Sequence, residues 1–564
     1  MKFKDYEYKR PEFEDIKLSF DEVNCVLKSD ASFDELLKAI HTFDKKRIVI
    51  DTMGTLASIR NSINTQDEFY EKEEEYWDEL GPKIQELFNE YNKNLLASPH
   101  LDKLKKEFGE LLFKQIELEM RTFDPKIVPL LIEEGKKTTE YQKLMASIEI
   151  EYKGEKLNIP QAGKYLESSD RLERKTVNDL IWNATEKVID KIDQIYDDLV
   201  HIRDKMAKEL GFKNYVELGY MRLGRVDYNA EDVKKYREEV LHDIVPLAEK
   251  IVKKQSKRIG IDDLYNYDLN VFYKDGNCVP LGTTQEKLEK TLKMYQEMNP
   301  EIGKFAKYMV DHELVDLDSK KGKAGGGYCT FIPLYKSPFV FANFNVTIGD
   351  VGTLTHEFGH AFQVYCTRDF EVQEYHWPTL EACEIHSMSM EFFTWPYMEK
   401  FFGKDADKYR FSHLADAIEF LPYGITIDEF QHWVYEHPNA THDQRCAKYL
   451  EIEKANLPHK KYDYCPTLAK GRWWLRQGHV FGSPFYYIDY TLAQVVAFQF
   501  LLMDQKNHQN AWKRYLKLTK CGGKYPFCEL LEKNHMKNPF EDGTVKKIVS
   551  GCEKILKGID TSNF

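Results

Sequence analysis

Two histidines and a glutamate in the pentapeptide His-Glu-Phe-Gly-His at positions 356–360 have the types and spacing needed for metal-assisted hydrolysis. On an α-helix, residues four apart lie on one face a single turn apart, so His356 and His360 can reach one tetrahedral zinc ion. Glu357 would lie beside the open coordination position, where it can accept a proton from an activated water. The pentapeptide therefore predicts a hydrolytic zinc site.

The flanking residues have the periodicity of a helix with one buried face. Apolar residues recur from Val351 through Leu354 and Phe358 to Tyr365, which is helical spacing. At about 100° per residue, His356 lies about 200° from Leu354, so the histidines face away from this stripe and into a cleft. These flanks favour a metallopeptidase active site over a chance occurrence of the pentapeptide.

A hydrolytic zinc site needs a third protein ligand and leaves its fourth position to water. The segment at 379–386 is predicted to begin a second helix, with Thr379 as its N-cap behind a proline. Glu381 and Glu384 are three residues apart and share a helix face, so either can be the ligand, and His386 is a third choice. Spacing alone leaves the choice open.

The residues of both segments resemble a known peptidase family. Thr-His-Glu-Phe-Gly-His-Ala at 355–361 and Glu-Ile-His-Ser-Met at 384–388 are similar to the zinc peptidases of the thimet oligopeptidase and oligoendopeptidase F family, in particular bacterial oligoendopeptidase F and Pz-peptidase. The resemblance covers about residue 140 to the C-terminus. It implies one zinc ion per chain with Glu384 as third ligand, and it implies that Glu381 supports a metal-bound histidine by a hydrogen bond.

A second group of candidate residues lies far downstream. Gly-His at 478–479 and Pro-Phe-Tyr-Tyr-Ile-Asp-Tyr at 484–490 resemble the family segment that places a histidine and tyrosines over the metal. Hydrolysis of an amide passes through a tetrahedral oxyanion, which O–H or N–H donors stabilise. The resemblance implies that Tyr490 stabilises this oxyanion, with Tyr486 and His479 as auxiliary or substrate-positioning donors. Tyr487 should project elsewhere and pack in the core.

Together these residues predict a zinc metalloendopeptidase that cuts internal bonds of short oligopeptides, with Glu357 as general base. Three other hypotheses remain: an exopeptidase with the same zinc chemistry, a nonenzymatic peptide-binding protein that stores zinc, and a zinc hydrolase acting on another bond class. Cleavage of peptides with blocked termini and the effect of removing Glu357 distinguish them.

A glycine-rich segment and a strand precede the predicted zinc helix. Glycines at 325–327 lead to a strand-like stretch at 339–344, between Pro338 and a turn at Gly349. An edge strand beside a zinc site can bind an extended peptide through main-chain hydrogen bonds. The three glycines are equally consistent with substrate binding and with an ordinary flexible hairpin. A phosphate-binding loop is not expected, because its Lys-Ser/Thr ending is absent.

Helical periodicity dominates the chain. It predicts helices near 16–28, 33–42, 55–80, 82–95, 101–122 and 125–146, broken by Gly-Pro, Ser-Pro and Asp-Pro pairs. A predicted hairpin at 148–160 marks a boundary between an N-terminal helical lobe (1–160) and a zinc peptidase catalytic region (161–564). The expected fold is mainly α. The resemblance implies two helical lobes that enclose a deep substrate channel, with a small β-sheet beside the zinc helix.

Composition limits the partners and the location. A formal net charge of −13 argues against nucleic acid, which leaves short peptides as the expected partners. No apolar stretch approaches the about 18–20 residues of a membrane span, and the first residues lack a hydrophobic signal core. The ten cysteines form no CxxC pair, which suits reduced thiols and a cytoplasmic location. The oligomeric state is left open.

Overall fold

Helices make up most of the protein. The computed structural model describes residues 1–561 and 564 and is 71% helical with small sheets. The mainly α fold expected from the sequence is thus confirmed. None of the helices in this described range combines the length and hydropathy of a membrane span. The division into 1–160 and 161–564 stays a prediction.

The first part of the chain is a layer of helices with its own apolar core, in which Phe20, Phe43 and Phe113 are almost fully buried. The helices are α1 (Phe13–Leu27), α2 (Phe33–Ile63), α3 (Glu68–Leu96), α4 (Leu101–Phe108) and α5 (Glu110–Thr122). Helix α6 (Val128–Ala146) follows and packs into the main core through Leu130 and Tyr141. The predicted hairpin follows as antiparallel strands β1 (Glu149–Tyr152) and β2 (Glu155–Asn158).

Several predicted helix boundaries in this layer are wrong. Helix α2 continues through the predicted gap at 43–54 and ends at Ile63, inside the helix predicted at 55–80. No break occurs at Gly-Pro 81–82, because α3 runs through Pro82. An internal proline costs about 3 kcal/mol, but Leu80 and Leu95 are buried on either side of it, and this burial offsets the loss. A break occurs instead at Gly109, between α4 and α5. Its φ is +94°, and the hydroxyl of Tyr375 accepts a hydrogen bond from an amide of α5.

A second series of helices leads from the hairpin towards the site: α7 (Ile159–Leu166), α8 (Arg171–Glu186), α9 (Ile189–Glu209), α10 (Tyr215–Arg222), α11 (Ala230–Glu239), α12 (Val245–Ile259), α13 (Thr284–Met298) and α14 (Pro300–Asp311). Several begin with side-chain caps: Asn214 accepts a hydrogen bond from an amide of α10, and Thr283 forms a capping box with Glu286 at the start of α13. Such caps pair amides that would otherwise have no partner.

A three-stranded sheet lies beside the predicted zinc helix. Its strands are β3 (Val315–Asp318), β4 (Tyr328–Ile332) and β5 (Ser337–Phe344), in the order β3-β5-β4. Strand β5 pairs with β3 in parallel and with β4 antiparallel, so it is central, which explains its nearly continuous apolar run. Strand β4 is at the edge of the sheet, where an extended peptide could pair with its free main-chain groups.

The helices that carry the candidate residues pack on this sheet and on one another. They are α15 (Gly349–Thr367) and α16 (Leu380–Phe393). The remaining helices enclose them: α17 (Glu399–Phe402), α18 (Ala406–Glu436), α19 (His442–Asn456), α20 (Pro466–Ala469), α21 (Gly478–Gly482), α22 (Tyr487–Asp504), α23 (His508–Thr519), α24 (Phe527–Lys533) and α25 (Thr544–Gly558). Helix α16 lies between α15 and α22, so its side chains contact both.

Candidate active site

Helix α15 presents the pentapeptide as the sequence predicts. Its apolar stripe, including Leu354 and Phe358, is fully buried against the core. His356 and His360 lie on another face, with ring centroids 5.0 Å apart. Glu357 is buried, its Oε2 has no hydrogen-bond partner among the described residues, and burial raises the pKa of its carboxyl. This carboxylate is therefore available to a ligand in the cleft.

The third candidate ligand reaches the histidines because α15 and α16 cross very closely. A Cβ added to Gly359 would lie 2.6 Å from the carbonyl oxygen of His386 and 2.6 Å from Cα of Ser387. Only glycine permits this approach. It places Oε2 of Glu384 3.2 Å from Nε2 of His356 and 3.4 Å from Nε2 of His360.

These three atoms fit the coordination of zinc. Ligands on a tetrahedral zinc ion lie about 3.3 Å apart when each bond is about 2.0–2.1 Å long, and both glutamate–histidine distances are close to that value. Two imidazole nitrogens and one carboxylate oxygen are also a donor set that leaves one position open. The described residues contain no other cluster of three or more such ligands.

A carboxylate that the sequence analysis missed holds one candidate ligand in place. His356 Nδ1 lies 2.8 Å from Oε1 of Glu391, and Nε2 of His413 lies 2.7 Å from the other oxygen of Glu391. The indole N–H of Trp395 in turn donates to Nδ1 of His413 over 3.0 Å. Because His356 donates through Nδ1, its Nε2 is free to bind a metal.

Glu381, which the resemblance implied as the support for a histidine, does not have that role in the structure. It is buried, no hydrogen bond joins it to a histidine among the described residues, and burial and the nearby Asp489 raise the pKa of its carboxyl to about 8. His386 is also directed away from the site, with Nδ1 3.3 Å from the hydroxyl of Thr519. Of the three choices for third ligand, only Glu384 lies beside the histidine pair.

Tyr486 and Ser387 both donate hydrogen bonds to Glu384. The Tyr486 hydroxyl lies 2.7 Å from Oε1, and the Ser387 hydroxyl lies 2.9 Å from Oε2. Such bonds fix the orientation of a carboxylate that binds a metal. Tyr486 therefore contacts the candidate ligand directly, rather than lying free above the site.

His479 and Tyr490 form a second hydrogen-bonded group beside Tyr486. The hydroxyl of Tyr423 donates to Oε1 of Gln477 over 2.9 Å, and the Gln477 amide donates to Nδ1 of His479 over 2.7 Å. The proton of His479 is thus on Nε2, which lies 3.4 Å from the Tyr490 hydroxyl. The hydroxyl oxygen of Tyr490 can accept a hydrogen bond from this N–H, which leaves the O–H of Tyr490 free to donate to a ligand. Burial raises the pKa of Tyr490, which keeps it a donor.

The turn before Tyr486 is held in an uncommon conformation. Phe485 has a φ of +68°, which is rare for a residue with a side chain. Its amide donates to Gln431, and its carbonyl accepts a hydrogen bond from Arg225. A Cβ on Gly219 would lie 2.7 Å from the Phe485 ring. Residues 219–225 thus hold this turn in position.

The glycine segment lies next to the candidate base. A Cβ on Gly327 would be 3.6 Å from Oε1 of Glu357. The side-chain amide of Asn343, on β5, donates to the carbonyls of Ala324 and Gly326 over 2.8 Å each. The segment is thus tied to the sheet and leads directly into the edge strand β4.

The fold and the site define a metallopeptidase of the HExxH class: a His₂Glu donor set on two crossing helices, with a glutamate beside it. Comparison with family models agrees. Residues 3–123 match the peptidase M3 N-terminal domain, and residues 164–550 match peptidase family M3. The chain belongs to peptidase family M3. The family predicted from the sequence, and with it an enzyme of the peptidase class, is confirmed.

Solved structures and curated proteins extend the comparison. Pz peptidase A, solved with an inhibitor, is 47% identical, with a TM-score of 0.97 over 99% of this chain and 100% of its own. A Bacillus anthracis protein assigned as an oligoendopeptidase F is 43% identical, with a TM-score of 0.93 over 100% of this chain and 99% of its own. Oligopeptidase PepF of Bacillus subtilis (strain 168) is 23% identical over 309 residues, which are 52% of this chain and 44% of PepF. The chain spans about half the length of the curated relatives it matches.

Proposed function

We propose that this chain is a zinc metalloendopeptidase that hydrolyses internal bonds of short oligopeptides. The observation that carries the proposal is the convergence of His356, His360 and Glu384 at zinc-ligand spacing. Glu357 lies on the same helix, with a buried oxygen that has no partner in the described part of the chain. A site that only stored zinc would have no need of such a carboxylate.

Each residue has a distinct task in the proposed reaction. Bound zinc would acidify a water molecule and polarise the peptide carbonyl. Glu357 accepts the proton of that water and passes it to the leaving amine. Tyr490 donates its O–H to the oxyanion, and His479 holds Tyr490 through Nε2. Tyr486 orients Glu384. This role is more specific than the auxiliary donor role that the sequence predicts for Tyr486.

The proposed substrate is a short, extended peptide. Strand β4 offers an unpaired edge for main-chain hydrogen bonds. Gly327 beside Glu357 leaves room for a peptide backbone, since a side chain there would approach the carboxylate. The ten cysteines are all free in the structure, in keeping with the proposed cytoplasmic location.

The replacement Glu357→Gln tests the assignment. We expect it to lower kcat on a peptide with blocked termini by about 10²–10⁴-fold, because general base catalysis is lost, while one zinc ion per chain is retained. Turnover and metal content should be measured on one preparation, with chelator-treated wild type as the control for metal dependence. Near wild-type turnover by Glu357→Gln would contradict the mechanism. Cleavage only of unblocked peptides would indicate an exopeptidase.

A further inference from the structure

A cavity of about 590 Å³ opens beside the first half of α15. Five parts of the chain surround it: α15, Glu391 on α16, the first third of α18, the end of α7 and the segment at 270–277. His356 and Glu357 belong to its lining. A peptide bound over the candidate metal site would therefore pass the mouth of this cavity and could place one of its groups inside.

The lining of the cavity is acidic. It contains the four carboxylates of Glu167, Glu357, Glu391 and Asp416, and no lysine or arginine of the described residues lines it. Glu391 is already bonded to two histidines, and Glu357 is assigned to proton transfer. Glu167 and Asp416 remain, and neither takes part in catalysis as proposed.

Few groups of the protein offset the negative charge of these two carboxylates. Glu167 accepts one hydrogen bond, 3.1 Å long, from the amide of Asn277. Neither Glu167 nor Asp416 forms a salt bridge within residues 1–561 and 564. Glu167 is half-buried and Asp416 is exposed at the cavity wall. Burial raises the pKa of Glu167, and the charge of Asp416 adds to that rise. Two carboxylates that line one cavity without a lysine or arginine beside them favour a cation from outside the chain.

A buried hydroxyl in the same wall provides an independent observation. Tyr409 lines the cavity, is only 2% exposed, and its hydroxyl has no hydrogen-bond partner in the part of the chain that the structure describes. An unpaired buried hydroxyl costs about 1–3 kcal/mol. Its oxygen can accept a hydrogen bond from an N–H donor.

We propose that this cavity binds a positively charged group of the peptide substrate, with Glu167 and Asp416 as its counter-charges. The proposal rests on the endopeptidase function and names a substrate preference for it. A lysine or arginine side chain and a free α-amino group share the required chemistry. A metal ion is not the expected occupant, because the described residues supply no second set of three ligands with atoms within 4.8 Å of one another.

Matched peptides test the preference. One series has both termini blocked and carries lysine in place of norleucine at successive positions on each side of the scissile bond. A second series carries only neutral side chains, with the amino terminus free or acetylated. We expect kcat/KM to rise about tenfold or more with the cation at one position, because a charge-assisted contact is gained. A response in the first series identifies a side chain as the bound cation. A response in the second series identifies the free α-amino group.

The replacements Asp416→Asn and Glu167→Gln keep the shape of the side chains and remove their charge. We expect each to lower the ratio of kcat/KM for the cationic over the neutral peptide about tenfold, with most of the change in KM. Glu436→Gln is the matched control, because Glu436 is an exposed carboxylate on the same helix as Asp416. It should leave the ratio unchanged.

Binding to the Glu357→Gln protein gives a readout without turnover. Calorimetry should show tighter binding of the cationic peptide than of its neutral partner, and Asp416→Asn should abolish that difference. Equal binding of both peptides, or a preference that survives Asp416→Asn combined with Glu167→Gln, would overturn the subsite. Cleavage of the neutral blocked peptide by wild type tests the endopeptidase function separately, so failure of one proposal is distinguishable from failure of the other.

Discussion

Glu391 joins two imidazoles through its two oxygens, and so it controls how His356 faces the metal site. We expect Glu391→Gln to weaken zinc binding about 10–100-fold, because such supporting hydrogen bonds fix the tautomer and the ring orientation of a ligand. Zinc affinity should be measured by competition with a chromophoric chelator. Glu381→Gln, on the same helix but directed elsewhere, should leave the affinity unchanged, and equal losses in both variants would contradict this role.

Tyr490 and Tyr487 provide a second matched comparison. We expect Tyr490→Phe to lower kcat about 10²–10³-fold with little change in KM, because the lost O–H would act only on the oxyanion. Tyr487 packs against Phe420 and Tyr423, so Tyr487→Phe should stay close to wild type. Steady-state kinetics on one blocked peptide checks both. A large rise in KM for Tyr490→Phe would point to substrate positioning instead.

At the residue scale, local spacing was informative within one helix and uninformative between helices. The four-residue spacing of His356 and His360 predicts their shared face, because helix geometry fixes it. Spacing could not choose between Glu381 and Glu384, and Glu391 was missed altogether. Which face of α16 meets the histidines depends on how two helices cross, and this is a property of tertiary packing.

At the scale of elements, the crossing of α15 and α16 depends on Gly359. We expect Gly359→Ala to lower the thermal midpoint and the zinc content together, because the added carbon would lie 2.6 Å from backbone atoms of α16. Overpacking of this kind costs about 1–3 kcal/mol or more. Calorimetry and metal analysis of the same sample measure both effects.

Gly352→Ala is the control for this replacement, since Gly352 is on the same helix and nothing lies within 4 Å of its added Cβ. We expect it to retain zinc and to gain about 0.5–1 kcal/mol of stability from the better helix propensity of alanine. Loss of zinc in both variants would show that any change in α15 disturbs the site, and the specific role of Gly359 would then be wrong.

Element positions were largely predictable where periodicity was strong, as for α15 and the β1–β2 hairpin. Errors fell at glycine and proline, and also at α2, which continues through a predicted gap and ends inside a predicted helix. Helix α3 continues through Pro82 because buried leucines hold it on both sides, whereas the chain breaks at Gly109, where Tyr375 from a distant segment packs. Such contacts override local preferences, and they are not visible in the neighbouring sequence.

At the scale of the whole molecule, the site lies inside the fold. Glu357 and Glu384 are 7% and 4% exposed, so under the proposed function a scissile bond would reach them as extended chain. The proposed function therefore favours short, extended peptides over folded proteins. The family of the chain was predictable from its motifs, but the burial of these carboxylates depends on how α15 packs against α16 and the sheet.

We therefore expect efficient cleavage of peptides up to about twenty residues and little cleavage of folded proteins, since ordering and threading a longer chain costs conformational entropy. Mass spectrometry of digests, with a peptide and a folded protein that contains the same sequence, makes the comparison. Unfolding the protein substrate by reducing its disulfides is the control. Rapid digestion of the folded form would contradict an enclosed site.

The hydrogen bond from Trp395 to His413 gives the protein an optical probe. The indole is connected through His413 and Glu391 to His356, so a change in the proton or metal on His356 alters the electrostatic field at a fluorophore. Titration with zinc should shift or quench the tryptophan emission, and the signal should disappear in Trp395→Phe although seven tryptophans remain of the eight in the chain. Metal loading can then be followed by light alone, in an unlabelled protein and without any substrate.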